Sequence, residues 1–121
     1  MKILIVEDDT FLSRGYEIQF QEAGHEVSVA KDGREALELL TKFQPEVIVL
    51  DLVMPKMDGF AVLEQLRKDD NFKTVPVMAV TNLGNKSDKD RCMSLGASEY
   101  IVKTDVTLSD IVKKAEAYAK Q

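Results

Sequence analysis

The chain has 121 residues, the size of a single domain, and a folded chain of this length removes roughly two thirds of its unfolded surface from water without disulfides or a structural metal. Hydrophobic residues make up 45% and charged residues 31%, which excludes disordered and collagen-like classes. The net charge of -5, from 16 basic and 21 acidic residues, argues against a binder of nucleic-acid backbone, which is normally basic.

Ile3-Leu4-Ile5-Val6 is short, β-branched and continuously apolar, the pattern of a strand covered on both faces, and Glu7-Asp8-Asp9 closes it. From Thr10 to Ala23, the residues Leu12, Tyr16, Gln19/Phe20 and Ala23 recur at helical spacing, with Gly24 placed to end the helix. His25 to Ala30 reads as a weaker strand. Asp32-Gly33-Arg34-Glu35 sets an acid cap three residues before a glutamate, and Ala36, Leu37, Leu40 and Phe43 form the apolar stripe behind it. Val47 to Leu50 repeats the character of the first strand. Met54-Pro55 reads as a stiffened loop and Asp58-Gly59 as a turn into a helix carrying Ala61, Val62, Leu63 and Leu66. Val75 to Val80 is the fourth strand, with Pro76 tolerated near its start. Ser87-Asp88-Lys89-Asp90 resembles a helix cap, Glu99 to Val102 a weak strand, and Thr107-Leu108-Ser109-Asp110 the cap of a last helix burying Leu108, Ile111, Val112 and Ala115.

Strand and helix thus alternate five times across one domain, residues 1–121, which implies a parallel sheet with right-handed crossovers and helices on both faces. Five units are too few for an eight-stranded barrel, so the expected fold is α/β, an open doubly wound sheet. No apolar run is long enough to span a bilayer and no signal peptide opens the chain. Cys92 is the single cysteine, so the expected setting is a reducing cytoplasm, without membrane insertion.

Open parallel sheets carry their sites at the carboxyl ends of the strands. The first strand ends in Glu7-Asp8-Asp9, the third in Asp51, the fourth in Thr81-Asn82 and the fifth in Lys103. If the first and third strands are neighbours, their acids lie roughly 4.8 Å apart and repel, unless one keeps its proton or a cation intervenes. A hard cation such as Mg²⁺ suits oxygen ligands, keeps waters and binds substrate phosphate. Lys103 then adds positive charge where a phosphoryl group gathers negative charge, Thr81 offers a hydroxyl to it, and Asp51 is a candidate nucleophile forming an acyl phosphate.

The pattern IVEDD after the first strand, VLDLVMPKMDG after the third, AVTN after the fourth and YIVKT after the fifth resembles the receiver domain of two-component response regulators, in particular single-domain chemotaxis regulators. The resemblance runs from Lys2 to about Lys120. It implies the flavodoxin-like strand order 2-1-3-4-5, Asp51 as phosphoacceptor, Asp8 as direct Mg²⁺ ligand, Glu7 as its acidic partner and the Val53 carbonyl as a further ligand. Thr81, Asn82 and Lys103 would contact the phosphoryl group, with Thr81 and Tyr100 as switch residues. It further implies transfer from a sensor histidine kinase or histidine phosphotransfer protein, and slow self-dephosphorylation rather than enzymatic turnover. The surface formed by the fourth helix, fifth strand and fifth helix would change for a downstream target or output domain. The chain stops near the end of the fifth helix, as a stand-alone regulator or a piece of a larger protein, and it has no basic recognition helix for direct nucleic-acid binding.

Two positions depart from the family pattern. Thr104 stands where proline usually follows the lysine, so the Lys103–Thr104 bond is expected either trans with a shifted loop or cis under strain. Asn82 replaces a smaller residue, and the expectation is restricted water access and a longer-lived phosphoryl group. Plainer readings stand beside the functional ones. Asp9 reads as a helix-start acid, Thr81 alternatively as a turn cap, Tyr100 as a strand aromatic and Lys103 as an ordinary exposed lysine. His25 reads as a surface or strand-start residue, Cys92 as a core-facing thiol, and Met54, Met57, Met78 and Met93 as packing. A dinucleotide or P-loop site lacks its glycine motif, and a flavodoxin-like cofactor site would need donors where this first turn has three acids. An aspartyl-phosphate-type phosphatase would carry a second Asp where Val53 stands. An unphosphorylated receiver-fold docking module is the remaining alternative.

Overall fold

The structure is a computed structural model that describes residues 1–119. Lys120 and Gln121, which close the expected 1–121 domain, lie outside the described residues. The elements follow as β1 (Lys2–Val6), α1 (Thr10–Glu22), β2 (Glu26–Ala30), α2 (Gly33–Leu39), β3 (Val47–Leu50), α3 (Gly59–Lys68), β4 (Val77–Thr81), α4 (Lys86–Ser94), β5 (Glu99–Val102) and α5 (Leu108–Ala119). All strand pairs are parallel, in the order β2-β1-β3-β4-β5. The chain therefore reverses direction of winding between β1 and β3, and register pairs Val6 with Leu50 at that point. Among the described residues, no helix is long and apolar enough to cross a membrane.

Alternation along each strand feeds two cores. Leu4, Val6, Ile48, Leu50, Val77 and Ala79 point to one face and pack with Ala36, Phe60, Val62, Leu63, Leu66 and Cys92 from α2, α3 and α4, and with Leu40 just past the end of α2. Ile3, Ile5, Val47, Val49, Met78 and Val80 point to the other and meet Tyr16, Phe20, Ile111, Val112 and Ala115 from α1 and α5. Because both faces are covered, β1, β3 and β4 read as unbroken apolar runs rather than alternating ones.

Helix starts follow side-chain capping of the orphan first-turn amides. Asp9 accepts from Leu12 N–H at 2.9 Å, Asp32 from Glu35 N–H at 2.9 Å and Asp58 from Ala61 N–H at 3.0 Å. Thr107 and Asp110 form a reciprocal box, in which each side chain accepts from the other's backbone amide. One cap differs from expectation: α4 starts two residues before Ser87, on Asn85, whose side chain accepts from Asp88 N–H and donates to the Asp88 carboxylate. Asn85 is itself followed by an acid three residues on, so the same box closes one half-turn earlier.

Other boundaries shift for local reasons. Pro76 precedes β4 rather than lying inside it, although its carbonyl still accepts from Ile48 N–H at 2.9 Å. His25 precedes β2; its amide donates to Phe20 O, and its Nε2 lies 2.8 Å from Glu116 on α5. Helix α2 ends at Leu39, leaving Phe43 half-buried beyond it. Ala23 is exposed as the cap of α1, Ser13 takes a buried place on that helix, and Gly24 turns the chain away at φ 90. Met78 is fully buried and Met54 and Met57 half-buried, but Met93 is 40% exposed, so the packing assignment does not extend to it. Cys92 is the one buried residue of α4, as expected. Beside it, the Arg91 guanidinium lies 4.1 Å over the Phe60 ring and adds a cation–π contact between α4 and α3.

Candidate functional site

The carboxyl ends of β1 and β3 sit side by side because Asp51 N–H donates to Val6 O at 2.9 Å, continuing the ladder one residue past the strands. Glu7 and Asp51 are therefore opposite each other, and with Asp8 they place one carboxylate oxygen each within 4.8 Å of one another. Glu7 and Asp51 are 2% and 6% exposed, whereas Asp8 is open to solvent. An open depression of about 290 Å³ lies over them, lined by Glu7, Asp8, Asp9, Asp51, Val53, Asn82 and Lys103. Six of the eight sequence-predicted site residues thus share one concavity.

Lys103 reaches in from the far side of the sheet. Its Nζ lies 2.8 Å from Glu7 Oε1 and 3.3 Å from Asp51 Oδ2, and only 15% of its side chain is exposed. The plain reading of an ordinary exposed lysine is therefore replaced. Burial alone would lower the Lys103 ammonium's pKa, but the hydrogen bond to Glu7 and the charges of Asp51 and Glu7 outweigh it, leaving a net rise. Glu7 shows the opposite strain. Burial, with the Asp51 charge adding to it, lifts its carboxyl to about 7 against the pull of Lys103. The Lys103 contact therefore offsets only part of the cost of burying the Glu7 carboxylate. The field extends into the core, where the Tyr16 hydroxyl is pushed upward first by burial and then by the charges of Glu7 and Asp51.

The remaining hydrogen bonds fix the acids loosely. Asp9 N–H donates to Glu7 Oε2 at 3.2 Å, and Val53 N–H donates to Asp51 Oδ1 at 3.3 Å. Asp9 itself is turned to the helix as its cap. Three carboxylates of which two are buried, facing an open depression, form a donor set of oxygen only. That set suits a hard divalent cation better than a soft one, and an added positive charge would offset both the burial of Glu7 and the Asp51 charge beside it.

Two predicted site residues sit elsewhere. Thr81 is fully buried at the end of β4 and does not line the depression; its Oγ1 accepts from Leu83 N–H at 3.2 Å. Tyr100 is half-buried on β5, and its hydroxyl donates to Leu83 O. The two are joined through opposite ends of one residue, Leu83, which sequence reasoning missed because the link is backbone and independent of side-chain type. The Lys103–Thr104 bond is trans, like every peptide bond among the described residues, and the chain turns there through a 3-10 turn over Lys103–Asp105.

Comparison with known proteins agrees with this fold. A "DNA-binding dual master transcriptional regulator RpaA" of Synechocystis sp. is 39% identical over 102 residues, covering 84% of this chain and 42% of the relative. The chain thus matches about two fifths of the length of that regulator. A chemotaxis protein CheY4 of Vibrio cholerae superposes with a TM-score of 0.90 at 30% identity, covering 97% of each chain. The Mn²⁺-bound form of response regulator Rcp1 gives a TM-score of 0.80 at 28% identity, covering 96% of this chain and 89% of that one. The family model of the response regulator receiver domain matches residues 3–116, and this chain, with its acids, hydroxyl and lysine at the strand ends of the same fold, belongs to that family.

Proposed function

We propose that the chain is a phosphorylation-driven switch in which Asp51 accepts a phosphoryl group from a phosphohistidine on a sensor histidine kinase or phosphotransfer protein. The observation that carries this reading is the convergence of Glu7, Asp8 and Asp51 with Lys103 under one open depression. The Asp8 and Asp51 carboxylates, with Glu7 beside them and the Val53 carbonyl, would hold Mg²⁺. When bound, Mg²⁺ supplies charge neutralisation for the acids and for an incoming phosphoryl group. The Mn²⁺-bound state of Rcp1 supports a divalent cation in a site of this fold.

In the transfer, an Asp51 carboxylate oxygen forms the new bond to phosphorus as the bond from phosphorus to the donor imidazole nitrogen breaks. The imidazole leaves with the electron pair and takes up a proton. Lys103, already 3.3 Å from Asp51 Oδ2, stabilises the negative charge on the phosphoryl oxygens. Slow hydrolysis by water returns the carboxylate and inorganic phosphate, and Asn82 at the rim limits the approach of that water. Thr81 is the group whose hydroxyl would leave Leu83 for the phosphoryl oxygen, and Tyr100 would follow through the same residue. That movement reaches the surface of α4, β5 and α5, where a downstream protein or an output domain would respond, in a cytoplasmic setting.

Incubation with Mg²⁺ and acetyl phosphate tests the reading. One base-labile phosphoryl group per chain, absent in Asp51→Asn, is expected. Rapid release of phosphate in large molar excess over protein, with no phosphorylated chain accumulating, indicates an aspartyl-phosphate phosphatase, and neither uptake nor release indicates a docking module; either result overturns the switch.

A further inference from the structure

The loop from Asp51 to Asp58 carries both the acceptor and Val53, and its far end is pressed against an element with no ligand of its own. Gly33, the first residue of α2, donates its N–H to Met57 O at 3.2 Å. A Cβ built on Gly33 would lie 2.4 Å from that same oxygen, 2.8 Å from Met57 Cβ and 2.6 Å from Val62 Cγ2. The loop backbone occupies the space a side chain would need. Lys56, just before Met57, is the one non-glycine residue at positive φ among the described residues, at φ 66, and Met57 N–H donates to Pro55 O at 2.8 Å. A left-handed lysine persists only where surrounding contacts hold it. Its Nζ stands 3.7 Å from Oδ2 of Asp32, whose Oδ1 caps α2.

The same loop closes on the acceptor at its other end. Gly59 N–H donates to Leu52 O at 3.0 Å, and a Cβ on Gly59 would meet Asp51 O at 2.3 Å. Only Asp58 separates Met57 from this second close approach, so little slack exists to absorb a shift. We propose that Gly33, with the Asp32 cap that fixes the start of α2, is a positioning residue for Asp51 and Val53, because the N-terminus of α2 is the wall that sets the path of the acceptor loop. Any side chain at position 33 pushes Met57, and the displacement passes through Asp58 and Gly59 to the Asp51 backbone. The inference rests on the reading of Asp51 as acceptor and of its loop as part of a cation site.

The test measures Mg²⁺ dependence of phosphoryl uptake from acetyl phosphate for the wild type, Asp51→Asn, Gly33→Ala, Asp32→Ala and Asp32→Asn, alongside unfolding of each in EDTA. Gly33→Ala is expected to raise the Mg²⁺ concentration for half-maximal uptake by about tenfold, the scale of outer-shell effects on metal sites, while still unfolding in one cooperative step. Asp32→Ala is expected to raise it a few-fold. Asp32→Asn, which preserves the cap, should restore the wild-type value. A folded Gly33→Ala with wild-type Mg²⁺ dependence overturns the proposal. If Gly33→Ala does not fold, Asp32→Ala decides: a wild-type Mg²⁺ dependence there overturns the proposal equally. If the wild type itself takes up no phosphoryl group, the functional reading has failed rather than the positioning argument.

Discussion

Replacing Glu7 with glutamine should stabilise the metal-free protein and weaken its response to Mg²⁺. Glu7 is 2% exposed, and its carboxyl is lifted from an ordinary 4.5 to about 7 by burial and by the Asp51 charge. Below pH 4.5 the group is protonated whether folded or unfolded, so wild type and Glu7→Gln should have similar stability. As pH rises from 4.5 through 7, the unfolded chain releases the proton first, and wild type loses stability relative to the variant. At pH 8 the difference should reach about 3 kcal/mol in favour of the variant, since each tenfold difference in proton affinity is worth about 1.4 kcal/mol. Glutamine keeps an oxygen for Lys103, which sits 2.8 Å from Glu7 Oε1. Added Mg²⁺ should reverse the order: at a thousand times Kd it adds about 4.1 kcal/mol to wild type, and much less to a variant short of one carboxylate. Urea unfolding at pH 4 and pH 8, in EDTA and in Mg²⁺, reads all four conditions. A variant less stable than wild type in EDTA at pH 8, or a difference that ignores pH, would refute the reasoning.

Lys103→Met removes the cation that pairs with two buried acids, and metal-free stability should fall by about 3 kcal/mol at pH 8. The loss should shrink at pH 5, where Glu7 carries a proton; an equal loss at both values contradicts the electrostatic account. Tyr100→Phe leaves Leu83 O without its hydroxyl donor, and urea denaturation should show a cost of about 1 kcal/mol, whereas an unchanged midpoint would show that the bond contributes nothing. Asn82→Ala opens the rim of the depression, and the phosphorylated protein should lose its label faster, followed by intact mass after removal of the phosphodonor. A lifetime equal to wild type rules out Asn82 as the restriction.

The fold was legible because each strand of this sheet is covered on both faces, so that β1, β3 and β4 announce themselves as continuous apolar runs. The site was legible for a related reason. A parallel sheet sends every strand end to the same edge, so chain order alone puts Glu7, Asp51 and Lys103 together, as their contacts show. What the residues did not announce was backbone work. Thr81 and Tyr100 meet through the amide and carbonyl of Leu83, to which side-chain identity is silent. The cap of α4 falls on Asn85 because two overlapping boxes both satisfied the spacing rule. Gly33 read as a helix start, whereas its closest constraint comes from Met57, a residue of another loop. Met93 carried the same apolar label as Met78, yet one faces solvent and the other the core.

The most direct test of the central claim is an anomalous difference map from crystals soaked in Mn²⁺. The account predicts one ion bound by the carboxylates of Asp8 and Asp51 and by the Val53 carbonyl, at ordinary metal–oxygen distances of roughly 2.0–2.3 Å. A soaked crystal with that depression accessible and no ion between Asp8 and Asp51 would contradict it.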